Sequence, residues 1–296
     1  MVKQSEFITC YLMGGLGNQL FQLFAVIAYA FRNNRKFLFT YDEFLGQRQT
    51  YWDSFLKPLS FFTTRNPHHN KTNQTLTQYA NLFREPGFKY SPIPSFFQET
   101  VLLYGYYQSY LYFKDQEDTI FKLIRLSNQQ TEIREEYASY FEQDKTIISM
   151  HFRLGDYKNL PDHYNILPLS YYNASLQLIT SSNAPLKNKK VLYFCEKEDL
   201  EYVKYHYIHP LSQIYNTENV EFVKADDSIA DWKQMLLMSV CDHNIIANST
   251  FSWWGAYFNQ NKEKIVCYPS QWFGPALANK NDISDLFPPN WNKVIV

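Results

Sequence analysis

The chain has 296 residues, 45% of them hydrophobic and 19% charged, which excludes collagen-like and disordered classes. Its 28 basic and 29 acidic side chains leave a net charge of -1, without the basic excess of a nucleic-acid binder. At roughly 150 residues per domain the length points to two domains, each able to bury a core without disulfide or metal staples.

The chain opens with FITCYLM, an apolar run that reads as a buried strand, followed by GGLGN as a tight loop. QLFQLFAVIAYAFR then predicts a helix with Leu20, Phe24, Ile27 and Phe31 on one face, and FLFTY the next strand. From Gly46 to Ser95 the text is loop-rich and assigns no elements. Asp115 to Tyr140 predicts a helical stretch leading into the second domain, with residues 1–143 and 144–296 as the two domains. From Thr146 to Pro269 strands and helices alternate: TIISMHF, SYYNASLQLI, KVLYFC, EDLEYVKYHY, VEFVK, IADWKQMLLMSVC, HNIIAN, SWWGAYF and KIVCYP. That alternation argues an α/β domain with a parallel sheet and crossover helices, a Rossmann-like plan. Ligands of such sheets sit at the carboxyl ends of the strands. The rule selects the loops at HFRLGDY, at Glu196, at Asp226-Asp227 and at Asn248-Ser249-Thr250.

Aromatic side chains are abundant, with 24 Phe, 24 Tyr and 6 Trp making 18% of the chain. Composition alone favours core packing over a sugar-stacking surface. Cys10, Cys195, Cys241 and Cys267 are widely separated, the pattern of small buried hydrophobes rather than of a zinc site or disulfide framework. The first residues, MVKQSEFITCYLMGG, are too polar for a signal peptide. The apolar stretch from Leu20 to Phe31 is shorter than the roughly 20 residues of a membrane span. A cytoplasmic protein with no transmembrane segment is expected.

Three of only nine glycines, Gly14, Gly15 and Gly17, fall between the first strand and its helix. Leu20 stands where a dinucleotide fingerprint needs its last glycine, so that motif fails. The loop is either a plain turn or a place where backbone approaches a ligand, with Asn18 and Gln19 at the helix start. In His151-Phe152-Arg153-Leu154-Gly155-Asp156-Tyr157, an arginine at a strand end offers a planar fork to phosphate oxygens without a metal. Arg153 and Asp156 equally suit a simple ion pair. Asn248-Ser249-Thr250-Phe251 precedes a helix, where free N–H groups and hydroxyls make an anion site, or where a cap merely starts a helix bearing two core tryptophans. Neither an Asp-x-Asp nor an HExxH motif occurs, which disfavours a metal-held diphosphate.

Taken in order, GGLGNQLFQ, GYYQSYLYF, HFRLGDY and CDHNIIANSTFSWWGAYFNQNKEKIVCYPSQWF resemble the α-1,2-fucosyltransferase family that uses GDP-fucose. The resemblance runs from Gly14 to about Phe273, and the long last block is its most specific part. It implies two Rossmann-like domains facing a cleft, the GT-B architecture. It further implies inverting, metal-independent transfer of fucose to a sugar hydroxyl, typically O2 of a galactose. Relatives often carry H-x-R-R-G-D-Y; here Leu154 replaces the second arginine. No role is assigned to the Phe194-Cys195-Glu196 loop, where many relatives have a Ser-Asp pair.

On that resemblance Arg153 binds the β-phosphate in the second domain, Ser249, Thr250 and the helix start complete the phosphate cradle, and Asn248, Phe251 and His151, the last near the guanine, are further donor-binding residues. Asp231, opening IADWKQMLLM, is either the carboxylate that reads guanine or an ordinary helix-start acid. Asp156 is a catalytic candidate, with Asp162 and His163 as further possible bases. Gly15, Gly17, Asn18 and Gln19 form the acceptor or cleft loop. No metal and no cofactor beyond the donor substrate are expected. The competing readings are a transferase for another nucleotide sugar or linkage and a non-catalytic glycan-binding protein.

Overall fold

The computed structural model describes residues 6–78, 80–96, 99–181, 188–216 and 219–296. Two compact α/β units are formed, one from residues up to Ser127 with Asn281–Pro288, the other from Asn128–Lys280 with Pro289–Val296.

In the first unit β1 (Phe7–Cys10) lies between β2 (Lys36–Phe37) and β4 (Val101–Tyr104), and β3 (Asn81–Arg84) pairs with β4. All of these pairings are parallel, with Ile8 opposite both Phe37 and Val101. Every residue of β1 is buried, as expected of a strand covered on both faces. Helix α1 (Leu16–Arg32) is buried from Leu16 to Ala30 apart from Asn18, so apolar residues occupy more than the one predicted stripe. Its two buried glutamines are used on backbone. Gln22 receives the Met13 N–H at 2.9 Å and donates to the Met13 carbonyl at 3.1 Å. Residues 281–288 join this unit through Asp285, whose carboxylate accepts the Tyr90 N–H at 2.8 Å and whose carbonyl accepts from Ser109 Oγ at 2.7 Å.

The predicted helix over 115–140 is broken into Glu117–Leu123 and α2 (Leu126–Glu136), with Arg125 between them at φ +54°. Most of α2 belongs to the second unit. Its Gln130 amide donates to Ser239 Oγ and to the Phe258 carbonyl, each at 2.9 Å.

The second unit holds a parallel sheet of β5 (Lys145–His151), β6 (Asn188–Phe194), β7 (Val220–Lys224), β8 (His243–Ile245), β9 (Val266–Pro269) and β10 (Asn292–Val294). The spatial order is β10-β9-β8-β5-β6-β7. From β5 the chain steps outward to β6 and β7, then returns past β5 and steps outward again from β8. That is the doubly wound Rossmann order, and its reversal lies between β5 and β8. Helices α3 (Leu169–Thr180), α4 (Asp231–Ser239) and α5 (Thr250–Phe258) provide crossovers where helical patterns were expected.

Most of the largest side chains are core. Phe152 packs on Tyr172 and Tyr207 with ring centroids 4.3 and 5.0 Å away. The buried tyrosine hydroxyls donate to backbone carbonyls, Tyr171 to Ile246 at 2.5 Å and Tyr207 to Leu167 at 3.0 Å. Each ring therefore buries a large apolar area without stranding its polar tip. All four cysteines are buried free thiols.

Candidate active site

The reversal point of the second sheet gathers most of the residues singled out there. His151 ends β5, is 8% exposed, and sits 5.6 Å ring to ring from Phe251. Burial, with the nearby Arg153 and Lys224 charges, pulls its pKa down to about 3, so the imidazole is neutral. Two residues on, Arg153 donates to Asp156 from one terminal nitrogen and to Glu196 from the other. Its guanidinium carbon lies 5.1 Å from the centre of the Tyr157 ring. Asp156 therefore stands as a partner of Arg153.

Glu196 carries no role in the sequence reading. Parallel register explains its presence: His151 lies opposite Phe194 across β5 and β6, so two further residues on each strand bring Arg153 and Glu196 level. Gly155, at φ +33°, leaves the space this carboxylate fills; a Cβ there would lie 2.5 Å from Glu196 Oε2. Behind it, the buried Asp199 accepts the Gly155 N–H at 2.7 Å and pairs with Lys158. The Arg153 loop is thus braced by a carboxylate 44 residues away. Leu154 is buried in the core cluster, so its side chain packs inward.

From β8, the turn before α5 reaches the same place. Ser249 caps α5 with its hydroxyl accepting the Phe251 N–H at 3.4 Å, and Thr250 is the helix's first residue. Asn248 is 1% exposed and donates to the Asn165 and Trp272 carbonyls. The Asn248 carbonyl accepts from Tyr157 OH at 3.0 Å, tying the two loops together. His151 Nδ1 and Asn248 Oδ1 are both buried without a hydrogen-bond partner. Buried polar atoms are nearly always paired, which singles out these two at one strand reversal. Asp231 is half-buried at the start of α4, following the edge strand β7, with its carboxylate accepting the Trp232 N–H at 2.7 Å.

In the first unit the glycine loop also occupies a reversal, because β1 lies between β2 and β4. Gly14 has φ +76°, and a Cβ there would meet Asn18 Nδ2 at 2.5 Å. Gly15 precedes α1 with open space where a side chain would be, and Gly17 is buried within the helix. Gln19 is fully buried and donates to the Gly14 and Gln49 carbonyls at 3.0 and 2.9 Å, which makes it a brace of the loop. Asn18 accepts from Gln108 at 3.0 Å, joining the loops after β1 and β4. A second unforeseen carboxylate stands here. Glu85 follows β3 and accepts the Tyr106 and Tyr107 N–H groups at 2.8 and 2.9 Å. Burial pushes its pKa up to about 7 despite those bonds.

The model of glycosyl transferase family 11 matches residues 1–294. The chain belongs to that family. This family 11 member is 25% identical over 306 residues to the O-antigen biosynthesis glycosyltransferase WbnK of Escherichia coli, across 92% of this chain and 96% of that protein. It is 24% identical over 303 residues to a galactoside 2-alpha-L-fucosyltransferase of Caenorhabditis elegans, across 97% of this chain and 79% of that protein. An alpha-1,2-colitosyltransferase of Escherichia coli is 26% identical over 181 residues, 60% of this chain and 58% of that one. The protein is a glycosyltransferase related to fucosyltransferases and other sugar transferases. Among the described residues of this family 11 chain, no group of three or more His, Cys, Asp or Glu is placed to hold a metal ion, and no helix is long and apolar enough to cross a membrane.

Proposed function

We propose that this family 11 transferase moves fucose from GDP-fucose to a sugar hydroxyl, O2 of a galactose, with inversion and without a metal. The observation that carries the reading is the convergence of Arg153, His151 and the start of α5 at the β5/β8 reversal, with two unpaired buried polar atoms among them. In this reading the acceptor oxygen attacks C1 of fucose on the face opposite the diphosphate. The C1–O bond breaks, its electron pair passes to the β-phosphate oxygen, and the acceptor proton leaves to a base or to that phosphate. Negative charge grows where Arg153 stands. A fixed guanidinium there stabilises the transition state more than the ground state. Asp156 orients that guanidinium, the α5 N–H groups with Ser249 and Thr250 complete the phosphate cradle, and Phe251 and Asn248 line it. Asp231 reads the guanine N1/N2 edge, and Gly15, Gly17, Asn18 and Gln19 shape the acceptor side.

Purified protein, GDP-fucose and a β-galactoside, with EDTA present, should release GDP and yield a fucosylated product. Product without fucose on O2, or turnover only with added divalent metal, would overturn the corresponding part. The colitosyltransferase relative favours one second reading, the same displacement with another nucleotide sugar. Release of nucleotide from a different donor, with GDP-fucose inert, would select it.

A further inference from the structure

Arg153 meets Asp156 and Glu196 at once, so one cation faces two anions. A diphosphate arriving at this guanidinium finds both ends of its donor fork taken and two carboxylates repelling it. The two carboxylates are not equivalent. Asp156 lies three residues from Arg153, in the loop that Asp199 and Lys158 brace. Glu196 comes from the neighbouring strand, and the missing Cβ of Gly155 makes room for it. Its side chain is 46% exposed and that of Asp156 is 51% exposed, so exposure does not separate the two pairs. What separates them is tether: Asp156 belongs to the same braced loop as Arg153, while Glu196 reaches it from another strand, and an exposed pair of that kind is displaced at small cost.

We propose that Glu196 sets the affinity of the enzyme for its donor, because it occupies the face of Arg153 that the diphosphate takes and competes with that anion. This rests on Arg153 being the phosphate-binding residue. Removing the Glu196 charge then tightens binding, the opposite of what losing a merely structural contact does.

Calorimetric titration with GDP and with inorganic pyrophosphate tests it, on wild type, Glu196→Gln, Glu196→Ala, Glu196→Asp and Arg153→Ala, each checked by a thermal melt. Both neutral variants should bind GDP and pyrophosphate about two- to fivefold more tightly, the scale of one exposed ion pair. Glu196→Asp, which keeps the charge, should stay close to wild type. Either neutral variant, if folded, decides the matter should the other fail to fold. Unchanged or weaker binding in the neutral variants, with Arg153→Ala weakened, overturns the role of Glu196 alone. Tightening for GDP but not for pyrophosphate places Glu196 against the nucleoside and overturns it too. Unaltered binding in Arg153→Ala overturns the phosphate site itself.

Discussion

Burial opposes the charge on Arg153, and Glu196 and Asp156 more than restore it, raising the guanidinium's pKa above its already high ordinary value. A permanent, fixed cation is what a developing phosphate charge requires. Arg153→Lys keeps the charge but loses the planar fork, so it is not conservative at a phosphate. Steady-state kinetics with GDP-fucose and a galactoside should show kcat lowered by at least about 10²-fold, the scale for one preorganised donor. A near wild-type rate in a folded variant would remove Arg153 from the chemistry. Asp231 makes a different prediction. If it reads guanine, Asp231→Asn should weaken GDP binding by roughly 1.5–3 kcal/mol while leaving the melt nearly unchanged. Equal affinity would leave it a helix-start residue. At this scale HFRLGDY announces Arg153 and Asp156, because they share one loop. The strand-end rule marks the loop at Glu196, but only the β5/β6 register makes its carboxylate a neighbour of Arg153.

Helix α5 shows what an element adds. Its text, NSTFSWWGAYF, reads as a cap followed by an apolar helix, and both features are present: Ser249 caps, while Trp253 and Trp254 are fully buried. The two readings of this motif are therefore compatible, because the packed helix aims its capped end at the strand reversal. Ser249→Ala should cost about 1 kcal/mol of stability, the ordinary loss of a serine cap. Calorimetry on the variant would show it, and an unchanged melt would mean the 3.4 Å bond contributes nothing. Other elements carry no such signal. Strand β3 is mostly exposed and only four residues long, without alternation, so nothing in NLFR separates it from the surrounding loop. The break at Arg125 is equally silent, because an arginine at positive φ follows no turn signature.

At the scale of the whole molecule, the buried His151 and the half-buried Glu85 give opposite pH dependences. His151, in the second unit, has its pKa pulled from 6.5 to about 3 by burial and neighbouring cations. The unfolded chain then binds the extra proton, so stability is fully present above about pH 6.5 and is lost as pH falls toward 3. Glu85, in the first unit, has its pKa raised by burial from 4.5 to about 7. There the folded chain holds the proton, so the contribution is present below about pH 4.5 and is lost as pH rises through 7. Each group acts with a slope of at most about 1.4 kcal/mol per pH unit inside its window. The windows overlap between about pH 4.5 and 6.5, where the two slopes oppose each other. Substitution separates them. His151→Asn should remove its part of the acid loss, so that relative to wild type the melting temperature tilts downward as pH rises through this range. Glu85→Gln should keep both backbone N–H groups satisfied and remove the opposite slope, leaving a melting temperature that rises with pH. Melts of the three proteins at a series of pH values read both signs directly. Parallel curves for wild type and Glu85→Gln would mean that Glu85 ionises in the folded unit as readily as in the unfolded chain.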